Sequence, residues 1–243
     1  MSDIPARDRL MVALDMPTVE SARTLVARLG DAVSFYKVGL ELVMSGGLDL
    51  TRELVGGGKQ VFLDMKLLDI GNTVERATRA AADTGATFLT IHGHDSKTIA
   101  AAVKGKSGTR LKILSVTVLT NLDGSDLAEQ GITASPQELV ERRAKIARAA
   151  GCDGIVSSGQ EAARVRAAVG PGTLIVTPGI RLPSDAAGDQ ARVATPQSAI
   201  AAGADYLVVG RPITAAQDPR GAAQMFVASI EEALALRALG PQG

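Results

Sequence analysis

Eight short apolar runs recur along the chain and alternate with Ala-rich stretches of helical period. The runs are LMVAL (10–14), VSFYKVG (33–39), QVFLDMK (60–66), TFLTIH (87–92), LKILSVTVL (111–119), GIVSS (154–158), TLIVTP (173–178) and YLVVG (206–210). Each predicts a strand. Between them, VESARTLVARLG, TVERATRAAADTG, PQELVERRAKIARAAG and PQSAIAAGA predict helices, several closed by the Gly that commonly follows a helix C-terminus. Strands that are continuously apolar, each followed by a helix, imply a parallel sheet covered on its outer face. Eight βα units in 243 residues fit one closed (β/α)₈ TIM barrel spanning residues 1–243 as a single α/β domain. An open doubly wound sheet is the alternative, but the Gly-rich fingerprint expected after its first strand is replaced by VALDMPTVE. No linker-like segment divides the chain.

Charge and composition narrow the setting. Lys plus Arg and Asp plus Glu are both 26, so no global basic field would collect nucleic acid or an anionic membrane surface. The first residues lack the apolar core of a signal peptide, and no apolar run reaches the roughly 18 residues that span a bilayer. A cytoplasmic protein is expected. One Cys, Cys152 in AGCDG, cannot form an internal disulfide and reads as a small buried filler; two His leave metal ligands scarce.

In a (β/α)₈ barrel the active site lies at the C-terminal ends of the strands, so charges there are candidates for chemistry. Asp15 closes the first run, Lys37 lies near the end of the second, and Asp64 and Lys66 close the third. Residues 64 and 66 are two apart, so a regular strand would point both to the same face. An ordinary ion pair at a strand end also fits. Asn72 with Glu75 predicts a capping box opening the next helix, which leaves Asp69 in the connecting loop. His92 closes the fourth strand and is expected to be a hydrogen-bonded structural residue; His94 is expected to be exposed, and Glu41 to be structural.

The seventh and eighth strands are followed by TPGIR and GRPIT, the loops that often build a phosphate site in this fold. Gly210 allows close backbone approach of an anion and Arg211 supplies a permanent cation. A Gly-containing turn with an exposed Arg is the plainer reading of either motif. Between them, 181–193 carries Arg181 and Gln190 and reads as a lid or a surface loop.

VALD, YKVG, DMKLLDIGNTV, VTVLT, TPGIR, GDQ and YLVVGRPIT, in that order and spacing, resemble the orotidine 5'-monophosphate decarboxylase family over about residues 10 to 230. The chain departs at Leu68 and Gly71, where many members carry His and Pro. The resemblance implies decarboxylation of orotidine 5'-monophosphate to uridine 5'-monophosphate in pyrimidine biosynthesis, without metal or organic cofactor. It makes Lys66 the residue that stabilises and protonates a carbanion-like centre, and Asp64 the acid facing the substrate carboxylate. Asp15 and Lys37 would bind the ribose hydroxyls, and Thr120 the pyrimidine edge. Gln190, Gly210 and Arg211 would hold phosphate and ring, with Arg181 at the lid. Asp69, Ile70 and Thr73 would reach into a neighbouring subunit's site, implying a homodimer with shared active sites.

Two rivals remain at this level. Magnesium-dependent sugar-phosphate decarboxylases and aldolases of the same superfamily share the D-x-K-x-x-D core, and Glu41 with Asp64 could supply metal ligands. A non-catalytic nucleotide-binding barrel is the other, although a binding module gains nothing from acids facing an anionic substrate.

Overall fold

The computed structural model describes residues 4–183 and 194–239. The eight apolar runs form parallel strands β1 (Leu10–Ala13), β2 (Phe35–Gly39), β3 (Gln60–Leu67), β4 (Phe88–His92), β5 (Lys112–Val116), β6 (Gly154–Val156), β7 (Leu174–Thr177) and β8 (Tyr206–Val209). Each pairs with its neighbour in sequence, and β1 closes on β8 with Met11 opposite Val208. A closed sheet has no edge to protect. The helices are α1 (Ala6–Arg9), α2 (Val19–Leu29), α3 (Leu40–Met44), α4 (Gly47–Gly56), α5 (Gly71–Asp83), α6 (Ser96–Gly105), α7 (Gly124–Glu129), α8 (Pro136–Ala149), α9 (Ala162–Val169), α10 (Pro196–Ala201), α11 (Arg211–Thr214) and α12 (Pro219–Ala238). None of the described helices is long and apolar enough to cross a membrane.

Strand alternation divides the apolar residues into two cores. Leu10, Val12, Tyr36, Val38, Val61, Leu63, Leu89 and Ile91 point outward and pack with the helices. Met11, Phe35, Phe62, Phe88, Leu114, Val176, Tyr206 and Val208 fill the barrel. Four of the chain's six aromatic residues lie in this interior. Phe88 stands at the centre of them, 5.3 Å from Phe35, 5.2 Å from Tyr206 and 6.2 Å from Phe62 between ring centroids. These buried rings form an apolar floor. One pleat repeat further along the same strands, the inward positions become Lys37, Asp64 and Thr90, so polar groups sit directly on an apolar base.

The capping box expected from Asn72 and Glu75 does not form. Helix α5 begins at Gly71, its N-cap is Ile70 without a side-chain cap, and Asn72 therefore lies inside the first turn. Glu75 pairs instead with Lys104 of α6 at 2.9 Å. Gly71 is the first helical residue, the position at which Pro is favoured, so the departure there leaves the helix start in place. Boxes do form at Ser135 with Glu138 on α8 and at Thr195 with Ser198 on α10. Strands β5 and β6 stop three and two residues earlier than the apolar runs suggest. Beyond Val116 the backbone leaves the ladder, and the Thr117 carbonyl accepts from Arg143 Nη1 of α8 at 2.6 Å.

Candidate active site

The strand ends open into a cavity of about 440 Å³, within the usual range for a small-molecule site. Asp15, Lys37, Asp64, Lys66, Thr120, Arg181, Gly210 and Arg211 all line it. The lining is drawn from the ends of seven of the eight strands and the segments after them, β4 excepted. Ser157, Ser158, Pro178 and Thr214 also contribute, and sequence reading had not singled them out. The signal for Ser157 and Ser158 was a polar pair closing an apolar run, whereas Pro178 and Thr214 lie within TPGIR and GRPIT.

Four charges alternate along one wall. Lys37 Nζ lies 2.7 Å from Asp15 Oδ1 and 3.6 Å from Asp64 Oδ2, while Lys66 Nζ lies 2.8 Å from Asp64 Oδ1. Lys37 is buried, its side chain only 10 % exposed, and a lone ammonium there would carry a large desolvation penalty. Carboxylates on both sides offset it. Asp64 is partly buried, which by itself would raise its pKa. The charges of Lys37 and Lys66 and hydrogen bonds from Lys66 and Thr90 outweigh burial and hold Asp64 below the usual carboxylate range.

Regular strand alternation does not bring Lys66 to Asp64. Leu63 pairs with Leu89 and Leu67 with Ile91, so residues 64 to 66 on β3 face Thr90 alone on β4. Within this bulge Lys66 has φ of +50°, the only positive value at a described residue other than Gly. A left-handed L-residue costs roughly 1–2 kcal/mol, and such strain is typically retained at functional sites. Its reward is position: within the bulge the Lys66 ammonium meets the Asp64 carboxylate. Thr90, missed in the sequence, fills the gap. Its only signal was a hydroxyl inside a buried strand.

The remaining predicted residues divide. Thr120 lies in the loop four residues beyond β5 rather than at a strand end, yet lines the cavity. Arg181 is buried, and its Nη1 donates to the Ile180 carbonyl at 3.1 Å. A Cβ added to Gly210 would meet only Ala13 Cβ, at 3.9 Å. Packing within the protein therefore leaves room for a side chain, and the space before it belongs to the cavity. Gln190 lies outside the described residues. Asp69, Ile70 and Thr73 are exposed and do not line the chain's own cavity. Asp69 Oδ1 accepts from the Ile70 amide at 2.5 Å.

Four expectations concern residues outside the cavity. Cys152 is buried as a filler, its thiol pushed up to about 12 by burial. His94 is exposed, as expected. His92 is not held by hydrogen bonding among the described residues; it packs against His94 with ring centroids 4.8 Å apart. Burial first, then the neighbouring His94, Lys66 and Arg143, lower its pKa and favour the neutral ring. Glu41, at the start of α3, is exposed and makes no ion pair among the described residues, so a structural role is not supported. No group of three or more His, Cys, Asp or Glu among the described residues is arranged to hold a metal ion.

A sequence model of the orotidine 5'-phosphate decarboxylase / HUMPS family matches residues 8–226. The chain is 53% identical over 227 residues to an orotidine 5'-phosphate decarboxylase of Rhodopseudomonas palustris, covering 93% of this chain and 96% of that one. It is 56% identical over 227 residues to the protein of that name from Methylorubrum extorquens, covering 93% and 97%. The crystal structure of orotidine 5'-phosphate decarboxylase from Lactobacillus acidophilus superimposes with a TM-score of 0.82 at 35% identity, covering 94% of this chain and 99% of that one.

Proposed function

Because the chain belongs to the orotidine 5'-phosphate decarboxylase / HUMPS family, we propose that it converts orotidine 5'-monophosphate to uridine 5'-monophosphate and carbon dioxide in pyrimidine biosynthesis. The observation that carries this reading is the alternating series Asp15, Lys37, Asp64, Lys66 on the wall of a cavity that also contains Arg211. A cavity for passive nucleotide binding has no use for a partly buried carboxylate against an anionic ligand.

In the proposed reaction the bond from carbon 6 of the pyrimidine to its carboxylate breaks. The electron pair stays on carbon 6. No adjacent carbonyl accepts it, so fixed charge must stabilise it, and the Lys66 ammonium supplies that charge and then the proton. Water restores the proton on Lys66. Asp64 faces the substrate carboxylate. Two like charges about 4 Å apart at an effective dielectric near 20 repel by roughly 4 kcal/mol, relieved as carbon dioxide leaves. Enzymes typically lower barriers by about 8–23 kcal/mol, so repulsion is the smaller contribution. The cation at Lys66 and binding energy collected remotely must supply the larger part. Asp15 and Lys37 bind the ribose hydroxyls, Thr120 reads the pyrimidine edge, and Arg211 with Gly210 takes the phosphate, with Arg181 and Gln190 at the lid.

A homodimer with shared sites completes the proposal, with Asp69, Ile70 and Thr73 serving the neighbouring cavity. Five of the eight large exposed apolar side chains among the described residues, Leu40, Met44, Leu48, Leu68 and Ile70, follow the adjacent strands β2 and β3. A second copy covering that face would remove them from water. The role in soluble nucleotide metabolism implies a cytoplasmic location.

The test is an absorbance assay with orotidine 5'-monophosphate, run with and without a chelator. Turnover that persists with the chelator is expected. Turnover abolished by the chelator and restored by magnesium would favour the metal-dependent branch of the superfamily instead.

A further inference from the structure

Lys66 owes its place to a closed ring of contacts that passes through a residue outside the cavity. The Lys66 backbone N–H donates to Thr90 Oγ1 at 3.0 Å, the Thr90 hydroxyl donates to Asp64 Oδ1 at 2.9 Å, and the same Oδ1 lies 2.8 Å from Lys66 Nζ. A threonine hydroxyl has one proton to donate and lone pairs to accept. Here the proton and one lone pair are engaged, which orients the hydroxyl. Thr90 is fully buried and does not line the cavity, so it cannot touch a bound substrate.

The ring sits where regular pairing fails. Three residues of β3 face Thr90 alone, and the Lys66 amide has left the ladder with φ of +50°. A buried amide needs an acceptor, and the Thr90 side chain replaces the missing ladder carbonyl. The same hydroxyl orients the carboxylate that holds the Lys66 ammonium. One group therefore sets both ends of the lysine, its backbone turn and its charged tip.

We propose that Thr90 is a positioning residue for Lys66 and Asp64, fixing the ammonium of Lys66 at the reacting carbon through its two hydrogen bonds. The kinetic part of this inference rests on the decarboxylase reading; the structural part does not. Alternatives on β4 are limited by space: Val matches the shape of Thr without the hydroxyl, whereas Ser retains the hydroxyl without the methyl group.

Two pairs of chains isolate the hydroxyl, the parent with Thr90→Val and Thr90→Ser with Thr90→Ala. A misplacement of the reacting group by about 1 Å can cost a hundredfold in rate, so kcat should fall between about ten- and a hundredfold in Val and Ala, with KM changed by no more than about threefold. Thr90→Ser should stay within about threefold of the parent in both constants. Thermal unfolding of each variant separates lost stability from lost placement. Hydrogen exchange at the Lys66 amide reads the ring without substrate. It should quicken at least about tenfold in the variants lacking the hydroxyl and remain slow in Thr90→Ser. If Val does not fold, the Ser and Ala pair gives the same comparison. Unchanged exchange and unchanged kcat without the hydroxyl would overturn the inference, as would a lower melting temperature with kcat per folded molecule intact. A parent inactive on orotidine 5'-monophosphate would remove the decarboxylase reading alone, because the exchange comparison stands by itself.

Discussion

Lys66 Nζ lies 2.8 Å from Asp64 Oδ1, closer than the 3.6 Å separating Lys37 Nζ from Asp64 Oδ2. The carboxylate thus joins two unlike lysines. The Lys37 side chain is only 10 % exposed, whereas that of Lys66 is 29 % exposed. Lys37 is the more enclosed member of the series and Lys66 the more accessible.

Lys66→Ala is expected to lower turnover by at least about a thousandfold, because in the proposed reaction it removes the charge stabilising the carbanion-like centre together with its proton source. Product binding and the circular dichroism of the barrel should be largely retained. Turnover within about tenfold of the parent rules out the assigned role.

The same position makes a stability prediction. At φ of +50° a Cβ is disfavoured, so Lys66→Gly should be more stable than Lys66→Ala by about 1 kcal/mol, after allowing for the greater freedom of Gly in the unfolded chain. Urea unfolding of the two variants measures the difference directly. Equal midpoints and slopes would mean that the backbone relaxes once the lysine is gone.

Asp64 links stability to pH. Its folded-state pKa is depressed, so its contribution is present above the unfolded value near about 4 and is lost as pH falls through the lower folded value. Asp64→Asn leaves Lys66 without its carboxylate and Lys37 with Asp15 alone, and should cost about 3 kcal/mol at neutral pH. The gap between parent and variant should narrow on going from about pH 7 to about pH 3. A gap that does not change with pH contradicts the depressed pKa.

Arg211→Ala should reduce kcat/KM by about a hundredfold or more although Arg211 is assigned to the phosphate rather than the reacting carbon, since phosphate binding energy can organise the site. Added phosphite dianion should accelerate turnover of a substrate lacking the phosphate. No acceleration would show that phosphate contacts and catalysis are not coupled.

A shared site requires Lys66 from one chain and Asp69 from the other. Mixing the nearly inactive Lys66→Ala and Asp69→Ala variants under exchange conditions should therefore restore activity. Random re-association makes about half the dimers mixed, each with one complete site of two, or about a quarter of the parent's activity. If exchange is demonstrated and activity stays at the level of the variants, Asp69 does not act across an interface.

Repeated apolar runs and their helical partners were enough to place all eight strands, because each βα unit must bury its own faces and that requirement is written locally. The charged members of the cavity were legible for a related reason. Asp15, Lys37, Asp64 and Lys66 interrupt apolar runs, and in a barrel an interruption at a strand's C-terminal end falls at the mouth. Boundaries were less legible. Asn72 and Glu75 match a capping box in spacing, but the helix begins at Gly71, so the pair falls inside it. Just past the end of β5 the Thr117 carbonyl is taken by the guanidinium of Arg143, a residue 27 positions beyond Val116. The largest difference lies at Lys66. Alternation predicts that residues 64 and 66 share a face, and they do meet, but through a bulge and a left-handed residue rather than a regular pleat. That geometry depends on the Thr90 hydroxyl, brought there from a different strand. Periodicity reports how a segment divides between water and apolar surroundings, whereas the setting of a single backbone amide depends on which distant group reaches it, and only the closed barrel brings β3 and β4 into that register.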